Sequence, residues 1–497
     1  MHIQKWIQTR RNVYLLIGLF TVNLQGCSVG PDFKAPKAPK TKTYSDQKIP
    51  SKTVHTSGVG GEAQVLALGE EIPSKWWNLF QSKALNELIA KGLAHSPSLK
   101  AAEAALQQSK ENINAYVGSS LYPAITGTVS GTRQAISSSS FGAANPTTTL
   151  FTLYNASVNG SYSLDFFGKG RRALEGLRAQ SEYQRYLLEA TYLTLTSNIV
   201  TTAITEASLR GQIQATEGLI KLNEEVLRIT RLQFELGAIS QTSILAQESQ
   251  LAEIRATLPP LQKNLSITRH ALSILVGELP TENQLPKFYF EGIKLPRKIP
   301  VSLPSSLIHQ RPDIRASESL LHQASANVGV ATANLYPQVT ITASFGTEKY
   351  KIEDLLKGGG LVWSYGSNIL QPIFNGGSLR AARRASIEAY KQAEAQYRQT
   401  VLQGFQNVAD QLRALELDAE GLKAQSEFER AAETTLNLVR KQYQLGAIDY
   451  LNLLNAERQY QLARINRIQA QTLRYTDTVA LFQALGGGWW SCDRKAN

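Results

Sequence analysis

Two regimes of hydrophobic spacing alternate along this chain. In long stretches apolar residues recur every three or four positions, as on one face of a helix. In four short stretches they alternate one by one, as on a strand. The longest helical stretch, Arg171 to Leu236, holds no proline and spans about 65 residues, roughly 100 Å at 1.5 Å per residue. Within it Leu219, Leu222, Val226, Ile229, Leu232 and Leu236 predict a coiled-coil seam. Leu251, Ile254, Leu258, Leu261 and Leu265 continue the pattern beyond a break at Gly237. The alternating stretches are Ile125 to Arg133, Phe151 to Asp165, Gln338 to Gly346 and Leu361 to Leu370. Ala156, Val158, Gly160, Tyr162 and Leu164 face one way in the second, and Val339, Ile341, Ala343 and Phe345 do so in the third. Serine, threonine and asparagine hold the opposite face.

These elements occur twice. SPSLKAAEAALQQ (Ser96 to Gln108) returns as RPDIRASESLLHQ (Arg311 to Gln323), and SLYPAITGTVSGT (Ser120 to Thr132) as NLYPQVTITASFGT (Asn334 to Thr347). FELGAISQTSILAQESQ (Phe234 to Gln250) returns as YQLGAIDYLNLLNAERQ (Tyr443 to Gln459), and LSILVGELP as LFQALGGGW. Each copy reads helix, two strands, long helix, turn, long helix, so the chain is a duplicated unit and not a short-period solenoid. Pro97 and Pro312 suit first helical positions, where the missing N–H costs nothing. Gly237 and Gly446 suit left-handed turns between antiparallel helices.

Strands of about ten residues, apolar on one face and hydroxyl-rich on the other, carry the signature of a transmembrane barrel. A sandwich sheet with one wet face is the alternative. The polar, low-complexity Gln134 to Thr149 favours the barrel, because it resembles an external loop. Four strands cannot close around a pore, and an open edge in lipid leaves backbone groups unsatisfied at several kcal/mol each. Other copies of the chain must complete the barrel.

The start of the chain supplies the compartment. Lys5, Arg10 and Arg11 precede an apolar run, Val13 to Val22, about half the 20 residues a bilayer-spanning helix needs. Leu24-Gln25-Gly26-Cys27 then resembles a lipobox, which makes Cys27 a lipid-modified N-terminus. An uncleaved anchor with an incidental cysteine is the alternative. Cys492 is the only other cysteine, so the mature chain has no internal disulfide.

The net charge of +12 invites a nucleic-acid reading, but Lys and Arg are dispersed among Glu along helical segments and read as a solvated surface. The six histidines (His2, His55, His95, His270, His309 and His322) are scattered, with no HExxH, GxSxG or phosphate-binding loop. An enzyme is therefore not expected, nor a cofactor or metal. A lipid-anchored coiled-coil scaffold would explain Cys27 and the long helices, yet leaves four alternating strands without a purpose.

CSVGPDF, WWNLF (Trp76 to Phe80), LDFFGKGRR (Leu164 to Arg172), QRPDIRASE (Gln310 to Glu318), LYP (Leu335 to Pro337) and ALGGGW (Ala484 to Trp489) resemble the TolC/OprM/NodT outer-membrane efflux lipoproteins over nearly the whole chain. The resemblance implies an α+β membrane protein: a homotrimer whose chains each give four strands to one twelve-stranded transmembrane β-barrel, continued by a long α-helical coiled-coil barrel. It implies a passive conduit for drugs or other toxic compounds, lipid-anchored in the outer membrane with its helices in the periplasm. Its partners would be a periplasmic adaptor and an inner-membrane pump, often of the resistance-nodulation-division type. Type I protein secretion is an alternative cargo. The turns with Gly237, Ala238, Gly446 and Ala447 would form the periplasmic tip that meets the adaptor. Leu451 would form an apolar constriction, with a coiled-coil seam residue as the alternative. Asn452 and Asn455 stand where the family often has aspartates, so an acidic ring is not expected. The chain then divides into a signal peptide (1–26), a lipidated extension (27–73), a first repeat (74–285), a linker (286–304), a second repeat (305–488) and a tail (489–497).

Overall fold

The computed structural model describes residues 28–46, 50–142, 145, 147–282 and 284–493. The expected signal peptide and Cys27 lie outside the described residues. The chain forms two compact units. One takes the residues up to Ala35, Leu106–Tyr183 and Ser317–Gln396; the other takes Pro36–Ala105, Gln184–Ala316 and Tyr397–Asn497.

The helices are α1 (Lys83–His95), α2 (Pro97–Ser120), α3 (Lys169–Glu235), α4 (Gln241–Leu275), α5 (Pro304–Gln310), α6 (Pro312–Ala333), α7 (Ser378–Gln444), α8 (Tyr450–Ala484) and the single turn α9 (Trp490–Asp493). The strands are β1 (Val65–Leu68), β2 (Ala124–Ser137), β3 (Thr148–Leu164), β4 (Lys298–Val301), β5 (Gln338–Lys349) and β6 (Leu361–Leu370). The duplication is quantitative: α3 and α7 have 67 residues each, and α4 and α8 have 35 each. Such helices far exceed the usual three turns.

The first unit holds an antiparallel sheet in the order β2-β3-β5-β6. Its register carries the alternation through all four strands. Gly127 pairs with Val158, Val158 with Phe345 and Phe345 with Trp363. Ile125, Gly160, Ala343 and Tyr365 form a parallel row on the same face. The opposite face carries Thr126, Asn159, Ser344 and Ser364. The apolar face is bare: Ile125 is 76% exposed, Val129 75% and Trp363 64%. A face that large, outside water-soluble packing, belongs against lipid. The expected loop from Gln134 to Thr149 is shorter than its composition suggests, because Gln134 to Ser137 pair with Phe151 to Thr148 and lengthen the hairpin.

The second unit has a core under the helices, built on Trp76, Phe80, Ile199, Leu272, Tyr475 and Phe482. The parallel pair β1–β4 lies at its side. Among the described residues no helix is long and apolar enough to cross a membrane.

Candidate functional site

The two helix-turn-helix ends in the second unit are built alike. At the end of α3, Gly237 N–H donates to Phe234 O (2.8 Å) and Ala238 N–H to Gln233 O (2.8 Å). At the end of α7, Gly446 N–H donates to Tyr443 O (2.9 Å) and Ala447 N–H to Gln442 O (2.9 Å). This paired closure satisfies the last carbonyls and needs a left-handed residue, and Gly237 (φ +73°) and Gly446 (φ +75°) supply it. Asp449 starts α8 by accepting from Asn452 N–H (3.1 Å) and from the Asn452 side-chain amide (2.6 Å).

The four helices meet in one cluster: Val226 of α3, Leu436 and Tyr443 of α7, and Tyr450, Leu453 and Ala456 of α8, with Ala246 of α4 against them. Leu451 does not join it. Its side chain is 60% exposed, and Asn452 and Asn455 are exposed beside it. The first turns of α8 therefore show one face to their own chain and another, carrying Leu451, Asn452 and Asn455, to the outside.

The buried face is partly polar, which an apolar spacing does not reveal. Tyr450 Oη donates to Gln247 Oε1, and Gln247 Nε2 donates to Asn223 O (3.2 Å) and Oδ1 (3.1 Å). Tyr443 Oη donates to Gln233 Oε1 (2.8 Å), joining α7 to α3. Glu457 is 1% exposed, and neither of its carboxylate oxygens has a hydrogen-bond partner among the described residues. Burial pushes its pKa from 4.5 up to about 7 against the opposing pull of Arg440. The three exposed residues carry no titrating group; Glu457, on the buried face, is an acid that burial brings close to neutrality.

A second constellation lies in the first unit, immediately after Cys27. Arg172, in the first turn of α3, donates to Val29 O (3.3 Å), Gly30 O (3.4 Å), Asp32 Oδ1 (2.6 Å) and Glu175 Oε2 (2.8 Å). Phe33 stacks on His322 at 4.3 Å, and His322 Nε2 lies 2.9 Å from Glu175 Oε1. Gly30 passes Gly329 so closely that a Cβ on Gly30 would lie 2.5 Å from the Gly329 Cα. The residues of the CSVGPDF motif after its cysteine are thus held by the arginine of LDFFGKGRR, a contact that neither motif shows alone.

A lipid-suited sheet and long paired helices with closed turns define an outer-membrane channel protein. A family model described as outer membrane efflux protein matches residues 88–278 and 303–487, and the chain belongs to that family. The antibiotic efflux pump outer membrane protein ArpC of Pseudomonas putida is 29% identical over 490 residues, covering 95% of each chain. The pyoverdine export outer membrane protein OpmQ of Pseudomonas aeruginosa is 30% identical over 452 residues, covering 88% of this chain and 93% of its own. The solved outer-membrane channel OprN superposes with a TM-score of 0.83 at 25% identity, over 93% of this chain and 100% of that chain. The relatives are channel proteins and not enzymes, and the place of this chain is the outer membrane.

Proposed function

We propose that three copies of this chain form a passive conduit of a tripartite efflux pump, each giving four strands to a twelve-stranded barrel. The helices would continue the conduit through the periplasm to an adaptor and an inner-membrane pump of the resistance-nodulation-division type. The observation that carries this reading is the sheet. Among the described residues its outer strands β2 and β6 each keep one edge unpaired, and its apolar face is continuous across all four strands. Open edges are not tolerated in lipid, so closure by further copies follows. The energy for export comes from the pump. ArpC and OpmQ are named for antibiotic and pyoverdine export, which supports small organic solutes as cargo.

The repeats would run over 74–285 and 305–488, behind a signal peptide and a lipid-bearing Cys27. The turns at Gly237, Ala238, Gly446 and Ala447 would meet the adaptor. Leu451 would narrow the mouth, with Asn452 and Asn455 beside it, because an exposed leucine on a face unused by its own chain is available to its copies across the axis. A ring of apolar side chains disfavours water and ions. The test is conductance. The purified protein should migrate as a heat-modifiable oligomer and form channels in planar bilayers. Leu451→Ser should raise single-channel conductance and let a bulky antibiotic such as vancomycin leak into cells. Asn455→Asp should increase cation preference without widening the mouth. An oligomer without conductance would return the chain to the scaffold reading. Unchanged conductance and leakage in Leu451→Ser would place the gate elsewhere.

A further inference from the structure

The duplication in the first unit gives one seam twice, but a single chain completes it only once. In the completed seam, β3, the second strand of the first repeat, pairs with β5, the first strand of the second repeat. Just past that pairing, Phe167 in the turn from β3 to α3 stacks on Tyr336, which precedes β5. The ring centroids are 4.7 Å apart and the planes 19° from parallel. The pair closes the helix-side end of the seam.

The equivalent parts of the second seam are all present and all bare. β6 is the second strand of the second repeat and β2 the first strand of the first, and they are the two outer strands of the sheet. The turn from β6 to α7 carries Ile373 and Phe374 where the other turn carries Phe166 and Phe167, and they are 98% and 90% exposed. Tyr122 precedes β2 in Leu-Tyr-Pro, as Tyr336 precedes β5, and is 63% exposed. Stacked aromatic pairs contribute beyond their buried area, and two large side chains left bare at corresponding places mark a contact that the chain does not make with itself.

We propose that Phe374 stacks on Tyr122 of a second copy of this chain, with Ile373 beside it. The stacking repeats between molecules what joins Phe167 to Tyr336 within one. The occupant is set by the duplication: Tyr122 stands to β2 as Tyr336 stands to β5, so the surface that fits Phe374 is this chain's own. The two halves are different patches, so the contact is head-to-tail and propagates around a ring. The proposal rests on the oligomeric reading above and assigns its seam.

Cross-linking tests it in the full-length protein carrying Cys492→Ser. Phe167→Cys with Tyr336→Cys is the calibrating pair, and a short thiol cross-linker that joins it should leave the chain at monomer mass. The same reagent on Phe374→Cys with Tyr122→Cys should shift the chain to multiples of monomer mass, with each single variant staying at monomer mass. Native mass is measured alongside. An oligomer that yields no such ladder overturns this contact and leaves the oligomer standing, whereas a monomeric native mass overturns both. Phe374→Ser should also lose the heat resistance of the oligomer and Phe374→Tyr retain it. Equal heat resistance in both would count against the stacking.

Discussion

Arg172 shows how much one side chain can organise. Its side chain is 6% exposed, and its guanidinium donates to two backbone carbonyls and two carboxylates. A hydrogen bond to a charged group contributes about 1.5–3 kcal/mol, more than a surface ion pair. Removing the guanidinium also opens the space it fills against Gly329. Arg172→Ala should therefore release residues 28–33. Trypsin should cut after Lys34 faster than in the wild type, while Arg172→Lys, which keeps the charge but not the fork, should fall between. Equal cleavage in all three would mean that residues 28–33, the strap over the start of α3, are held by Phe33 and the glycine contact alone. The strap was not legible in the sequence: CSVGPDF and LDFFGKGRR are each visible as motifs, but their contact spans about 140 positions and only folding brings them together.

At the scale of elements, two features answer to measurement. The first is the buried acid of α8. The charge that acts on Glu457 from a neighbouring helix is Arg440 of α7; Arg458, next in its own helix, donates to Gln250 (2.8 Å) and Glu253 (2.9 Å) of α4. Tyr450 and Tyr443 belong to the adjoining cluster, and burial pushes Tyr450 well above its ordinary value. An acid raised from 4.5 to about 7 in the packed tip favours packing while protonated. That contribution is full below about pH 4.5 and is lost as pH rises to about 7. The ratio of loosened to packed tip should grow about fortyfold from pH 5 to pH 7 and then level off. Hydrogen exchange in α8 should report it, with Glu457→Gln flat across the range. A wild-type tip as flat as Glu457→Gln would show that the carboxyl reaches water.

The second feature is the sheet. Ile341 pairs with Tyr162 on the apolar face and Thr342 with Ser161 on the polar one. A lipid-facing Arg costs about 2–4 kcal/mol at the midplane, so Ile341→Arg should impair assembly and Thr342→Arg should be tolerated. The reverse ranking would invert the faces. Strand faces were readable because alternation needs only neighbouring residues. The helical seam is less legible: Leu219 and Val226 are buried as the leucine spacing suggests, but Asn223 and Thr230 share that line while Leu232 and Leu236 are exposed. A seam that buries amides cannot be found by counting apolar positions, since an asparagine is admitted only where its partners, here Gln247 and Leu219 O, are in place.

For the whole molecule the question is what holds it in the membrane. The sheet, whose apolar face must be taken out of water, is one device, and the lipid proposed on Cys27 would be a second. They are unequal. A single acyl chain of myristoyl length gives only marginal, reversible binding, and even the stable anchoring that two chains give falls short of a membrane-spanning segment. The barrel buries outward-facing side chains of all four strands from every copy and satisfies its backbone only when closed. On the proposed reading the lipid would guide delivery; the residues after Cys27, held by Arg172, are tied to the β3–α3 turn by Val29 N–H donating to Phe167 O (3.1 Å). Cys27→Ser should lose labelled palmitate completely and yet remain in the outer-membrane fraction, resistant to extraction by salt and alkali, with wild-type channel conductance. Equal palmitate in wild type and Cys27→Ser would end the lipobox reading. Loss of the variant to the soluble fraction would mean that the sheet does not insert without its lipid, and the ranking of the two anchors would be reversed.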